Sequence, residues 1–188
     1  MTTLDDERAI INPASVSPWP TAIRYGLIGA LVFCIYTLVG NLTGLSSGSF
    51  GMVASMISSF LVFAIAIGII VVAVKHHRDK ELGGYISLGR IVLIGSVAFF
   101  IALLISNIFN YIYMNFIDPG FVDDIMVNME EMMSGMIPED QLDDVLAQTR
   151  EGFTPSKMFT TGLLFPALFG VFVSAIIGLI MKVEPPRV

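Results

Sequence analysis

Long apolar runs broken by short polar interruptions organise this chain. Four stretches, Ala22–Leu45, Phe50–Val74, Ile91–Phe116 and Met158–Met181, hold no Asp, Glu, Lys or Arg in their interiors, Arg24 standing at the edge of the first. Each supplies about the 20 apolar residues that an α-helix rising 1.5 Å per residue needs to cross a hydrocarbon core of about 30 Å. The pattern predicts an all-α polytopic membrane protein forming one membrane domain, with four transmembrane helices at 22–45, 50–75, 88–116 and 158–182. A tail at 1–21, a Ser46–Ser49 link, a turn at 76–87, a longer segment at 117–157 and a tail at 183–188 complete it.

Inside the 117–157 segment the period changes to that of amphipathic helices. Between Val122 and Ile137, the residues Val122, Met126, Met129, Met133 and Met136 recur on one face, with Asp123, Asp124, Glu130 and Glu131 opposite. Pro138 interrupts, and Gly135 weakens the helix just before it. A second helix is expected from Glu139 to Arg150, with Leu142, Val145 and Leu146 on one face and acids in its first turn. The expected product is an acidic amphipathic helical hairpin between helices 3 and 4. It suits a cap over the bundle, an interfacial helix, or a docking face (Val122, Met126, Met129, Met133, Met136) for a membrane or extracytoplasmic protein partner. Clustered thioethers suit Cu(I), yet a stripe at this spacing is also how an adaptable apolar face reads, so no metal is expected.

Within the spans the informative residues are small or neutral polar. Gly170, Ser174 and Gly178 repeat every four residues on the fourth span, and Ala22, Gly26 and Ala30 do so on the first. Such faces let helices approach closely in lipid, where hydrophobic burial does not drive association. Pro166 should bend the fourth span. Ser106, Asn107 and Asn110 form a polar patch on the third, for which bonding to Ser55, Ser58, Ser59, Asn41 or Thr37 is expected, a cavity or pathway lining being the sharper reading. Gly83-Gly84 reads as a reversing turn, with Ser87 as an N-cap and His76 and His77 as interfacial residues closing the second span.

Composition narrows the function. With 188 residues, 55% of them hydrophobic and 14% charged, the four spans and their connections use nearly the whole chain, leaving no room for a separate enzyme domain. A net charge of −6 argues against nucleic acid, and the single cysteine, Cys34, excludes an intramolecular disulfide. The acidic lead-in Asp5-Asp6-Glu7 and the absence of a small-residue cleavage site make the first span a retained helix, not a signal peptide. Arg8, Arg24, Lys75, Arg78, Lys80, Arg90, Lys182 and Arg187 fall on one side of the expected topology, and Arg150 and Lys157 on the other. The positive-inside rule then puts both termini in the cytoplasm and the acidic segment outside. No nucleophile–base pair, carboxylate dyad or metal-ligand set occurs within the spans, so neither an enzyme nor a cofactor is expected.

The run KHHRDKELGGYISLGRIVLIG at Lys75–Gly95 and YIYMNFIDPGF at Tyr111–Phe121 resemble a bacterial membrane-protein family known as domain of unknown function 4199, over about residues 20–182. The resemblance implies four transmembrane helices and the bacterial inner membrane, and it transfers no catalytic or ligand residue. The expected function is a non-enzymatic interaction or accessory subunit packing through its small-residue faces. The alternative is an oligomeric channel or small-solute transporter using the polar patch on the third span.

Overall fold

The computed structural model describes residues 15–44 and 51–184, with the backbone alone over 51–55. The Ser46–Ser49 link, Arg8, Arg187 and the side chain of Ser55 therefore lie outside the described residues. The described residues are all-helical: α1 (Trp19–Thr43), α2 (Gly51–His76), α3 (Leu88–Ile112), α4 (Phe121–Met133), α5 (Glu139–Gly152), α6 (Pro155–Phe159) and α7 (Phe165–Met181). Single π-helical turns extend α2 over His77–Glu81 and α3 over Tyr113–Ile117, and a third, Thr160–Leu164, joins α6 to α7.

Among the described residues, four continuous helices are long and apolar enough to cross a membrane: Trp19–Thr43, Met56–Glu81, Leu88–Ile117 and Pro155–Met181. At 1.5 Å per residue their 25 to 30 residues reach about 38–45 Å, enough for the hydrocarbon and part of the headgroup layer. Only 28–39% of the residues in their most apolar windows are buried, so most of each helix shows Leu, Ile, Val and Phe to its surroundings. Water does not tolerate a surface of that kind and lipid does. These are the features of a multi-pass membrane protein.

The helices pack around α3, which lies against α1, α7 and α2, whereas α2 and α7 barely touch. Small residues permit these approaches. A Cβ on Gly26 would stand 2.8 Å from Ile101 Cβ, and one on Gly29 2.8 Å from Ile69 Cδ1, so α1 meets α3 and α2 almost backbone to side chain. Ala22 and Ala30 are buried on the same helix. On α7, Gly170 accepts the ring of Phe99, Ser174 lies against Gly95, and Gly178 lies under Leu88. The Ser174 hydroxyl is fully buried and finds no hydrogen-bond partner among the described residues, so its small size is what it contributes here. Both small-residue faces thus point inward, onto helices of the same chain.

Local chemistry ends the elements. Gly44, at φ 77°, closes α1, its N–H bonding Asn41 O. Gly83 and Gly84, at φ 65° and 102°, reverse the chain between α2 and α3 in the left-handed region that glycine favours. Ser87 occupies the N-cap position of α3 with extended backbone but makes no side-chain cap bond. Ile86 and Val183 exchange two backbone hydrogen bonds, tying that turn to the end of α7. Gly135, at φ 79°, stops α4 at Met133, four residues short of the Ile137 expected from periodicity.

The α3–α7 contact makes a direct prediction. In Gly95→Val the new side chain meets Ser174 Oγ at 2.5 Å and Ile70 Cγ2 at 2.8 Å, and overpacking of this kind costs about 1–3 kcal/mol. Gly68→Ala, with nothing within 4 Å, should stay within about 0.5 kcal/mol of the parent. Unfolding in mixed micelles of mild detergent and dodecyl sulfate measures both; equal stability of the two variants contradicts the close approach.

Candidate functional site

Polar groups gather at the two ends of the bundle and do different work. At one end the π-turn His77–Glu81 places His77 and Glu81 side by side, and the His77 side chain is fully buried. His77 Nδ1 lies 2.8 Å from Glu81 Oε2 and 3.1 Å from Thr21 Oγ1, and Thr21 donates to Glu81 Oε1 at 2.6 Å. On the other side of the ring, His77 Nε2 is 3.3 Å from Arg90 Nη1. Guanidinium has only donors, so Nε2 is the acceptor and Nδ1 carries the proton that Glu81 receives. The cluster joins α1, the π-turn and α3 through a buried network in which each ring nitrogen has a partner. His76 adds to it, its Nε2 3.7 Å from Glu81 Oε1 and its ring 5.4 Å from that of Tyr25. His77 is therefore a buried knot and not the interfacial residue expected from sequence. The signal available was the His77–Glu81 spacing; the partners Thr21 and Arg90 are set by folding.

At the opposite end, α3, its π-turn, the α4–α5 pair, α6 and the π-turn Thr160–Leu164 border an open-sided chamber of about 600 Å³. Asn107 and Asn110 line it from α3 and Met114 from the π-turn that extends it, with Glu151, Lys157 and Thr161 among the residues facing them. Both asparagines donate backward along their own helix, Asn107 Nδ2 to Leu103 O at 3.0 Å and Asn110 Nδ2 to Ser106 O at 2.9 Å. Asn107 Nδ2 also reaches Gly162 O at 3.4 Å. Pro166 has no N–H for the carbonyl four residues before it, which is that of Gly162, and the Asn107 amide supplies a donor there. These amide nitrogens thus bond backbone carbonyls of α3 and the fourth span, where side chains of the first two spans were expected. Ser58 instead accepts Tyr36 OH through its backbone carbonyl at 3.0 Å, clipping α1 to α2.

Ser106 is buried on the same face of α3, one turn further from the chamber. It lines a second, apolar cavity of about 330 Å³ inside the bundle. The patch is thus divided: Asn107 and Asn110 face the chamber, Ser106 the cavity.

The α4–α5 pair is held by Arg150 Nη2 to Asp123 Oδ1 at 2.7 Å and by Thr149 Oγ1, which approaches Met129 Sδ at 3.6 Å. Of the face expected to dock a partner, Met126 is buried, and Val122, Met129 and Met133 are half-buried. Met136 is 71% exposed. The reason is that α5 offers its own apolar face, Leu142 and Val145, within reach of α4, and burial there competes with an external partner. Phe121 at the head of α4 packs edge-on against the buried Tyr113 ring at 5.7 Å, seating the pair on the end of α3. Among the described residues no three His, Cys, Asp or Glu side chains group to hold a metal ion.

Removing the shared carboxylate separates the buried network from the surface pairs. Glu81→Leu leaves the His77 N–H and the Thr21 hydroxyl without their acceptor and should cost about 1–3 kcal/mol. Asp123→Asn, at the exposed Arg150 pair, should cost about 0–1 kcal/mol. The same detergent titration orders them, and the reverse order contradicts the assignment of the His77 cluster as a structural knot.

No curated protein and no solved structure matches the chain. The family described as "Protein of unknown function (DUF4199)" matches residues 24–183, from the third residue after Thr21 of the buried knot to the Val183 that pairs with Ile86. With that match covering most of its length, the chain belongs to the DUF4199 family.

Proposed function

We propose that this is a non-catalytic, accessory-type protein of the bacterial cytoplasmic membrane that holds a small ligand in the chamber beside α5. The supporting observation is the chamber itself. Its volume of about 600 Å³ lies within the roughly 300–1,000 Å³ usual for ligand sites, and its wall combines three side-chain amides (Asn107, Asn110 and Gln148), a carboxylate, an ammonium and apolar side chains. The docking reading of the α4 methionines has less support, because α5 competes for the same face. The inward-facing small residues favour a bundle closed within one chain over a ring of copies around a pore.

For the orientation, the support is the clustering of basic residues. Arg24, Lys75, Arg78, Lys80, Arg90 and Lys182 belong to the His77 end of the bundle, where Arg78 Nη1 reaches Met181 O at 3.5 Å. By the positive-inside rule that end is cytoplasmic and the chamber faces outward. Cysteines placed at Met136 and Lys182 in a Cys34→Ser background should react with a membrane-impermeant maleimide from outside at Met136→Cys only. Labelling of Lys182→Cys from outside inverts the topology.

Ligand binding is tested by native mass spectrometry of the full chain released from mild detergent. A discrete bound mass is expected, and its occupancy should fall about tenfold, equivalent to ~1.4 kcal/mol, in Asn107→Leu/Asn110→Leu. An unliganded wild-type spectrum, or an unchanged mass in the double variant, contradicts the reading.

A further inference from the structure

The chamber and the apolar cavity follow one another along the same two elements, α3 and the fourth span. Phe99, Leu103, Ser106 and Asn110 follow one another at four, three and four residues, so they share a single face of α3. The first three line the cavity and the fourth lines the chamber. On the facing helix the same order holds: Thr161 and Gly162 line the chamber, and Pro166 and Phe169 line the cavity. The π-turn Thr160–Leu164 lies at the junction. From Phe99 to Met114 the two run along fifteen helical steps, about 22 Å. One bilayer leaflet with its headgroup layer is about 20–22 Å, half of the 40–45 Å of the whole membrane.

The chemistry grades along that length. The cavity wall is almost all carbon, and its flank between α2 and α7 is closed mainly by side chains, because these helices barely touch. The rings of Phe63 and Phe169 meet there edge-on at 5.6 Å, both partly exposed on the lipid-facing surface. Hydrocarbon from the surrounding bilayer is what lies beyond that pair. In the chamber, the asparagine amides direct their hydrogens to backbone carbonyls, which leaves their oxygens as acceptors suited to an ammonium. Lys157 Nζ and Glu151 Oε1 stand 3.4 Å apart at the same wall, about half exposed, so a cation and a carboxylate are presented together. A headgroup carrying phosphate and amine complements both.

We propose that chamber and cavity together bind one membrane phospholipid with a zwitterionic, amine-bearing headgroup, the headgroup in the chamber among Asn110, Lys157 and Glu151 and an acyl chain in the cavity behind Phe63 and Phe169. This rests on the reading of the chamber as a ligand site. It goes further by naming the ligand class and by giving the inner cavity a role. Phe63 and Phe169 form the lateral entrance, and Ser106 marks the floor against which the chain passes.

The test uses the full chain in phosphatidylcholine vesicles containing a minor fraction of phosphatidylethanolamine with a photoreactive diazirine on its acyl chain. Adducts should concentrate at Phe63, Phe99 and Phe169 over the bilayer-facing Leu42 and Phe172. Unlabelled phosphatidylethanolamine should compete and phosphatidylglycerol should not. Ser106→Phe, or Leu103→Trp should the first not fold, fills the cavity and should cut the concentrated labelling about tenfold, equivalent to ~1.4 kcal/mol. Labelling spread evenly around the perimeter overturns the proposal. If labelling is even but a non-lipid mass sensitive to Asn107→Leu/Asn110→Leu is still present in the native spectrum, the chamber remains a ligand site and only the lipid assignment falls. If that mass is absent too, both fall.

Discussion

Close approach of helix backbones to α3 is the contact on which the remaining architecture depends. Lipid tails compete with Leu and Ile for every apolar surface, so burial alone gives these helices little reason to associate. What lipid cannot match is dense packing where side chains are missing. Gly26 and Gly29 supply it between α1 and its neighbours, and Gly95, Gly170 and Gly178 between α3 and α7. Because α3 takes part in both crossings, it becomes the centre of the bundle, and α2 is held chiefly through it and α1. The loose α2–α7 flank and the cavity behind it follow from that asymmetry.

The second constraint is that backbone polar groups inside a membrane need partners within the protein. Pro166 offers no N–H to the Gly162 carbonyl four residues before it, and Asn107 Nδ2 reaches that carbonyl from α3 at 3.4 Å. One residue pair therefore links the irregular helix of the fourth span to the polar wall of the chamber. At the other end, the His77 network serves the same condition for side chains, holding α1 and the π-turn around the Glu81 carboxylate and α3 through the contact of Arg90 with the His77 ring. Between these two fixed ends lie a polar chamber near the α4–α5 pair and an apolar cavity toward the middle of the bundle.

The four spans were legible in the sequence because length and freedom from charge are one-dimensional properties. The small-residue faces were legible too, since a four-residue repeat survives unwinding of the chain, although whether they pair within one chain is decided only in three dimensions. That Asn107 and Asn110 share a face was legible, but not that their amide nitrogens would reach the backbone carbonyls of Leu103, Ser106 and Gly162 where side chains of the first two spans were expected. The clue was Pro166, whose missing N–H sits four residues after Gly162, but it becomes informative only once α3 is known to lie beside that carbonyl. The amphipathic pair was recognised and α4 was drawn four residues too long, because periodicity continues through Gly135 where the backbone does not. The hairpin was legible from two apolar faces, but not how far α5 would cover the methionine stripe, which leaves Met126 buried and Met136 exposed. His77 was hidden for a related reason: its burial depends on Thr21, fifty-six positions earlier in the chain.

The central claim, a bundle closed within one chain by the α3–α7 crossing, is tested most directly by a disulfide across that crossing. A Cβ built on Gly95 stands 3.0 Å from Ser174 Cβ, a little inside the ~3.5–4.5 Å spanned by disulfide Cβ atoms. Gly95→Cys/Ser174→Cys in a Cys34→Ser background should therefore oxidise in native membranes to a crosslink within a single chain, migrating as a monomer on a denaturing gel. Dimers formed through those positions, or two thiols that stay free under oxidation, would contradict the account.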